Sequence, residues 1–282
     1  MIDFNTIKTL YLANNEVSEL WLNGSKVWEK GSSAPTPLTF TANTAGSTIK
    51  MQAVGSAPSV DLLYSTDGST WNTYTVGDTI TLTNVDDYVL FKAGSNGNTT
   101  IATDASNYNK FVMTGSVAAS ESIMYLLDEN GSDSATMADY CFESLFTGCT
   151  SLTSSPKLPS TTVSKYCYHG MFTGCTSLTQ APALPATTLA ERCYYTMFYG
   201  CTSLTSAPEL PATTLASYCY SGMFQNCSNL TSAPEELPAT TLASYCYTYM
   251  FQGCTSLNNI KLGYTGNFSG TGVPTNAFKT WV

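Results

Sequence analysis

A pair of cysteines eight residues apart recurs five times in this 282-residue chain. The first members are Cys141, Cys167, Cys193, Cys219 and Cys246, and the second are Cys149, Cys175, Cys201, Cys227 and Cys254. Successive copies are 26, 26, 26 and 27 residues apart, the extra residue being one of Glu235 and Glu236. A fixed period of this length constrains the fold strongly. One copy cannot bury its own apolar face, so the copies must stack and bury it on one another.

Within a copy, Cys219, Tyr220, Met223, Phe224 and Cys227 fall at i, i+1, i+4, i+5 and i+8. That spacing predicts one face of a short helix. A glycine (Gly148, Gly174, Gly200, Gly253) or Asn226 precedes the second cysteine and suits a helix end. Leu152, Leu178, Leu204, Leu230 and Leu257 then start very short parallel strands. The prolines that follow (Pro156, Pro182, Pro208, Pro234) cannot donate to a ladder and should end the pairing. A threonine or serine of the next "TTL"-type segment is available to cap the next helix.

The paired cysteines pose a choice between disulfide, metal site and buried wedge. Eight residues of helix span about 12 Å, whereas a disulfide needs Cα atoms within about 7 Å. Pairing between copies would leave one of the five unpaired in each register. Zinc sites use close pairs such as C-x-x-C with converging partners; no C-x-x-C occurs, and His169 is the sole histidine. The expectation is therefore buried free thiols, with no metal and no cofactor. Catalytic signatures are also missing. There is no phosphate-binding glycine loop, G-x-S-x-G or H-E-x-x-H. Asp128, Asn130 and Asp133 do not follow the calcium-loop order, and Asp86 and Asp87 are adjacent and should face opposite ways. His169 aligns with Tyr195, Ser221 and Thr248 in the other copies, which is the variability of a surface position and not of a general base. The chain reads as a non-enzyme.

The unit "YCYxxMFxGCTSLTxAPELPATTLA" resembles the BspA-like leucine-rich repeats of bacterial surface proteins and of phages of anaerobic gut bacteria, over roughly residues 137–260. The resemblance implies a right-handed solenoid with a role in adhesion or protein–protein contact and no catalytic residues. Upstream, "PLTFTANTAGSTIKMQAVGSAPSVDLLYSTDGSTWNTYTVGDTITLTNVDDYVLFKAG" alternates apolar and polar residues in runs such as 60–64 and 79–83, with a turn at Asp67-Gly68. It predicts a small β-sandwich. The first thirty residues, with turns at Asn14-Asn15 and Asn23-Gly24, predict a three-strand meander. This segment resembles the docking modules at the N-termini of phage tail and fibre proteins. It is too small to have much core of its own, so Leu10, Leu12, Leu20, Trp21, Leu22 and Trp28 should dock onto other virion proteins or another copy of the chain.

The expected fold class is mixed but mainly β: a β docking module (1–30), a Ser/Pro/Gly linker (31–36), a β-sandwich (37–118) and a solenoid of about five repeats of short helices and strands (119–282). A formal charge of −9 with only 11% charged residues gives no basic patch for nucleic acid or anionic membrane. No apolar run of about 18 residues is present to cross a bilayer. The N-terminus lacks a basic start followed by an apolar core, so synthesis in a cytosol without conventional export is expected. The apolar end at Trp281-Val282 leaves an uncapped edge, expected to reflect truncation, cleavage or a capping partner.

Recognition is expected on the repeats, through Tyr168, His169, Tyr195, Tyr220, Ser221, Tyr247 and Thr248. Tyrosine and hydroxyl residues give contact area and hydrogen bonds at low entropic cost, which suits a host cell-surface protein or glycan. The expected function is a virion-associated fibre or decoration protein, homo-oligomeric and located on the particle. The alternative is a bacterial cell-surface adhesin.

Overall fold

The computed structural model describes residues 36–133 and 136–266 in full, together with the backbone of four strands between Leu10 and Glu29. The chain falls into two compact units, Met1–Thr36 and Pro37–Val282. In the first, β1 (Leu10–Leu12) pairs antiparallel with β2 (Asn15–Val17), and β3 (Glu19–Leu22) with β4 (Ser25–Glu29). The expected three-strand meander is thus two separate two-stranded hairpins. Leu12 faces Asn15 and Leu22 faces Ser25 across two-residue connections. Each such connection closes its own strand pair, so no strand is shared. The side chains of Leu10, Leu12, Leu20, Trp21, Leu22 and Trp28 lie outside the described residues, as does the end of the chain from residue 267 onward.

The second unit is mainly β. Its first half supplies β5 (Leu38–Ala42), β6 (Ser47–Val54), β7 (Leu62–Ser65), β8 (Asn72–Tyr74), β9 (Thr79–Leu82), β10 (Tyr88–Ala93), β11 (Ala102–Asp104), β12 (Asn107–Thr114) and β13 (Val117–Ser120). They form two open sheets. One has the order β14-β13-β5-β10-β7-β8, with β14 (Leu152–Ser154) contributed by the first repeat; the other is β11-β12-β6-β9. Alternation on β5 buries Leu38, Phe40 and Ala42, and on β10 Val89, Phe91 and Ala93. The rings of Phe40 and Phe91 meet Phe111 of the other sheet edge-on, at 4.7 and 5.5 Å between centroids.

Several polar groups at the edges of the two sheets are paired. The Tyr74 hydroxyl accepts from Met51 N at 2.7 Å and donates to Asp78 O at 2.6 Å. Asn98 holds the chain before β7 to the 3₁₀ turn Ile123–Leu126 by donating to Asp61 O and Leu126 O. The Asp67-Gly68 turn is present between β7 and β8. Asp67 accepts from the Thr70 and Ser69 amides at 2.7 and 2.8 Å, and these bonds pull its carboxyl below the usual carboxylate range.

The repeats contain no α-helix among the described residues. Their backbone follows a four-residue cycle instead. In the fourth copy Tyr218, Gly222 and Asn226 all have positive φ, at 56°, 61° and 64°. Between them, Cys219–Tyr220 and Met223–Phe224 turn inward as pairs and are fully or almost fully buried. The hydrogen bonds alternate with the same rhythm. The amides of Tyr218, Tyr220, Gly222, Phe224 and Asn226 donate to the next copy, at Ser244, Cys246, Thr248, Met250 and Gln252, over 2.8–3.0 Å. The amides of Cys219, Ser221, Met223, Gln225 and Cys227 donate back three residues within their own copy. Half of the carbonyls therefore accept within the copy and half from the copy before, so the segment has no orphan backbone group to hide. A helix would spend all its bonds internally and leave the copies held by side chains alone.

The leucine positions likewise give less strand than expected. Leu152 starts β14, but elsewhere the pairing shrinks to isolated parallel contacts such as Ser206 with Ser232 and Thr214 with Thr241. A threonine ladder runs beside them, Thr179 N to Thr153 O, Thr205 N to Thr179 O and Thr231 N to Thr205 O. The prolines that follow lack the amide needed to extend it.

A single hydrophobic core runs from the two sheets into the last described repeat. Phe111, Phe146, Phe172, Phe198, Phe224 and Phe251 form one stacked column with centroid spacings of 5.4–5.6 Å. All ten cysteines are buried free thiols. Those of the second register donate to a phenylalanine carbonyl of the preceding layer, as Cys227 Sγ does to Phe198 O at 3.1 Å.

Candidate functional site: an aromatic and guanidinium ladder on the repeats

The residue before the first cysteine of each copy carries the most unusual chemistry on the surface. These residues are Tyr140, Tyr166, Arg192, Tyr218 and Tyr245, and every one has positive φ, between 54° and 62°. For a bulky L-residue this conformation costs about 1–2 kcal/mol. Directly before the second cysteine, where φ is positive again, the chain uses Gly148, Gly174, Gly200 and Gly253, with Asn226 in the remaining copy. At the ladder positions glycine never occurs.

Stacking offsets part of that strain. Tyr140 lies on Tyr166 with centroids 4.6 Å apart, and Tyr218 on Tyr245 at 4.5 Å, the rings within 14° of parallel. Arg192 fills the middle. Its guanidinium is 5.3 Å from the Tyr166 ring and 4.6 Å from the Tyr218 ring, and it donates to the Tyr166 hydroxyl. Stacked pairs contribute about 0.5–1.5 kcal/mol and an exposed cation–π contact about 0.5–1 kcal/mol. All five side chains are half-buried, with faces covered by neighbours and edges at the surface.

A second column flanks the first. His169 approaches Tyr166 at 5.8 Å and Tyr195 at 5.1 Å, and Tyr195 approaches Tyr218 at 6.4 Å. Behind His169 sits Glu143, whose side chain is 1% exposed; its Oε1 is 2.8 Å from His169 Nδ1. Its other oxygen, Oε2, is buried with no hydrogen-bond partner among the described residues.

The expected ligand-facing set is only partly at this surface. His169 and Tyr195 are half-buried and belong to it. Tyr168, Tyr220 and Tyr247 do not, being 1–2% exposed. They occupy the second inward place of the four-residue cycle and stack under Phe142 and Tyr194 as a core column. Ser221 and Thr248 share a register with His169 and Tyr195 but are too short to reach the surface there, and each is 3% exposed. The ladder residues Tyr140, Tyr166, Arg192, Tyr218 and Tyr245 escaped the sequence reading. Their signal is the recurrent bulky residue directly before each first cysteine.

Elsewhere on the repeats, Ser154, Pro156, Leu158, Pro182 and Pro185 line a proline-rich groove of about 440 Å³. Among the described residues no group of three or more His, Cys, Asp and Glu could hold a metal ion, and no helix is long and apolar enough to cross a membrane. No curated protein and no solved structure matches the chain. Residues 191–280 match the family model described as BspA type leucine rich repeat region, in six copies, and it is to this repeat family that the C-terminal third of the chain is similar.

Proposed function

We propose that the chain is a non-enzymatic adhesion module. Its repeats form a BspA-like leucine-rich-repeat solenoid whose Tyr140–Tyr166–Arg192–Tyr218–Tyr245 face contacts a host-surface glycan or protein. The observation that carries this reading is the ladder itself: five bulky side chains are kept in a strained backbone conformation on an outer face of a repeat type associated with protein binding and adhesion. The two sheets of residues 37–118, a β-sandwich in this reading, act as the cap on which the solenoid is built. Each single contact is weak, and repeated display raises the apparent affinity.

In the same reading the protein is a fibre or decoration component of a virion, with residues 1–30 docking a homo-oligomer onto the particle through Leu10, Leu12, Leu20, Trp21, Leu22 and Trp28. The paired hairpins β1–β2 and β3–β4, set apart as their own unit, support a separate attachment function. A bacterial cell-surface adhesin is the second reading, and the repeat match favours it equally. Antibodies raised against the repeats, used with electron microscopy on producing cultures, separate the two. Label on particles supports the virion reading, and label confined to the cell envelope overturns it in favour of the adhesin.

A further inference from the structure

Five side chains around the centre of the ladder close into a rim. Tyr166 contacts both His169 and Arg192; Tyr218 contacts both Arg192 and Tyr195; His169 and Tyr195 close the circuit. Three copies contribute, and no other copy offers a cation at this register. The donor strength of the rim is concentrated in Arg192. Arg192 has five donors; it spends one on the Tyr166 hydroxyl, and its Nη1 is also 4.0 Å from Glu191 Oε1. Its planar fork is held between two rings, and that pre-organisation suits bidentate recognition of a carboxylate. Glu143 Oε1 lies 2.8 Å from His169 Nδ1 and fixes that ring at the side of the rim. The other oxygen, Oε2, is buried with no hydrogen-bond partner among the described residues.

We propose that this rim is the specificity-determining part of the adhesive face and that it binds the carboxylate of an acidic sugar within an otherwise neutral glycan. The inference rests on the adhesion reading above. A hydroxyl-rich ligand matches a surface of tyrosine, threonine and serine hydroxyls, and one cation per stack matches one acid group. A polyanion fits poorly, because the chain carries a net charge of −9 and repels it.

The test uses the full chain displayed on beads. The probes are sialyllactose and a glucuronyl disaccharide, each with a single acid group, their methyl esters, lactose and a glutamate-rich peptide. The acids are expected to bind about tenfold or more tightly than their esters, the size of one charge-assisted hydrogen-bonded contact. Arg192→Gln removes that preference while residual binding of neutral sugar persists. Arg192→Lys restores little of it, because the fork is lost. Lys261→Gln, which removes the same charge away from the rim, leaves the preference intact. If Arg192→Gln fails to fold, Tyr166→Phe keeps the ring, frees the guanidinium from its hydroxyl anchor and lowers the acid preference. Equal binding of acids and esters, or an acid preference that survives Arg192→Gln, overturns the rim proposal but leaves the adhesion reading standing if whole cells still bind. Binding to the peptide in place of sugars overturns the ligand class. Failure to bind both the panel and whole cells defeats both readings.

Discussion

Phe111, on β12 of the four-stranded sheet, stacks on Phe146 of the first repeat at 5.5 Å and 17°. Its amide donates to Leu145 O at 2.7 Å, and its carbonyl accepts the Cys149 thiol at 3.0 Å. Phe146 makes the same bonds one layer on, donating to Met171 O and accepting from Cys175. Phe111 therefore stands in for the phenylalanine of a missing preceding repeat. Ile101 does the same for Phe142, donating to Cys141 O, and β13 pairs in parallel with β14. The sheets present the first repeat with the surface a repeat would present. Phe111→Ala should cost about 3–5 kcal/mol and lower the midpoint of one shared denaturant transition. Two transitions, with the repeats unaffected, would show that the halves are independent.

The four-residue cycle makes a prediction opposite in sign to that of a helix. Thr196 has φ of 50° where neighbouring copies have Gly170 and Gly222. Thr196→Gly should stabilise the protein by about 0.5–1 kcal/mol, the relieved strain exceeding the entropy glycine adds to the unfolded chain. In a helix the same change would destabilise by about 0.5–1 kcal/mol. Chemical denaturation of the single variant decides the sign.

Burial pushes the Cys141, Cys149, Cys193 and Cys201 thiols up to about 12, and Cys246 and Cys254 to about 11, in each case chiefly by desolvation. In the unfolded chain a thiol titrates near about 8.5. Above that value the unfolded state loses protons that the folded state keeps, so stability is full below about pH 8.5 and falls as pH rises toward 11–12. Native protein at pH 7.5 should resist iodoacetamide at all ten cysteines and take up the reagent only on unfolding. Rapid native labelling of several thiols would contradict their burial.

The two cysteine registers should respond differently to serine. Cys227 already donates to Phe198 O, so a hydroxyl there retains a partner, and Cys227→Ser should cost about 1 kcal/mol or less. Cys219 makes no side-chain hydrogen bond among the described residues and is fully buried. Cys219→Ser should cost about 1–3 kcal/mol. Equal melting temperatures for the two variants would contradict the assignment of the carbonyl contact.

The stacking of the copies, the burial of Met223, Phe224 and both cysteines, and the β character of residues 37–118 could be read from sequence, because period and alternation report burial directly. The backbone that achieves it could not. Over the nine residues from Cys219 to Cys227, periods of 3.6 and 4 place the same side chains inward, and only recurring positive-φ residues such as Gly170 and Gly174 tell them apart. The site is a different matter. Tyr220 lies on the inward stripe under either period, and only its residue type, a tyrosine, speaks for the surface, whereas Tyr218 sits at a positive-φ position that neither period marks. The capping role of Phe111 was invisible for another reason: it is made by pairing across 35 residues of unrelated sequence, between Phe111 and Phe146.

Recognition through the stacked ladder can be followed by flow cytometry of bead-displayed full chain on a panel of whole bacterial cells, comparing the native chain with a Tyr166→Ala/Tyr218→Ala variant of confirmed native melting behaviour. A subset of cells should bind the native chain and lose about tenfold or more of that signal with the variant, as for removal of central aromatic contacts. Undiminished binding by the folded variant would contradict recognition through the ladder.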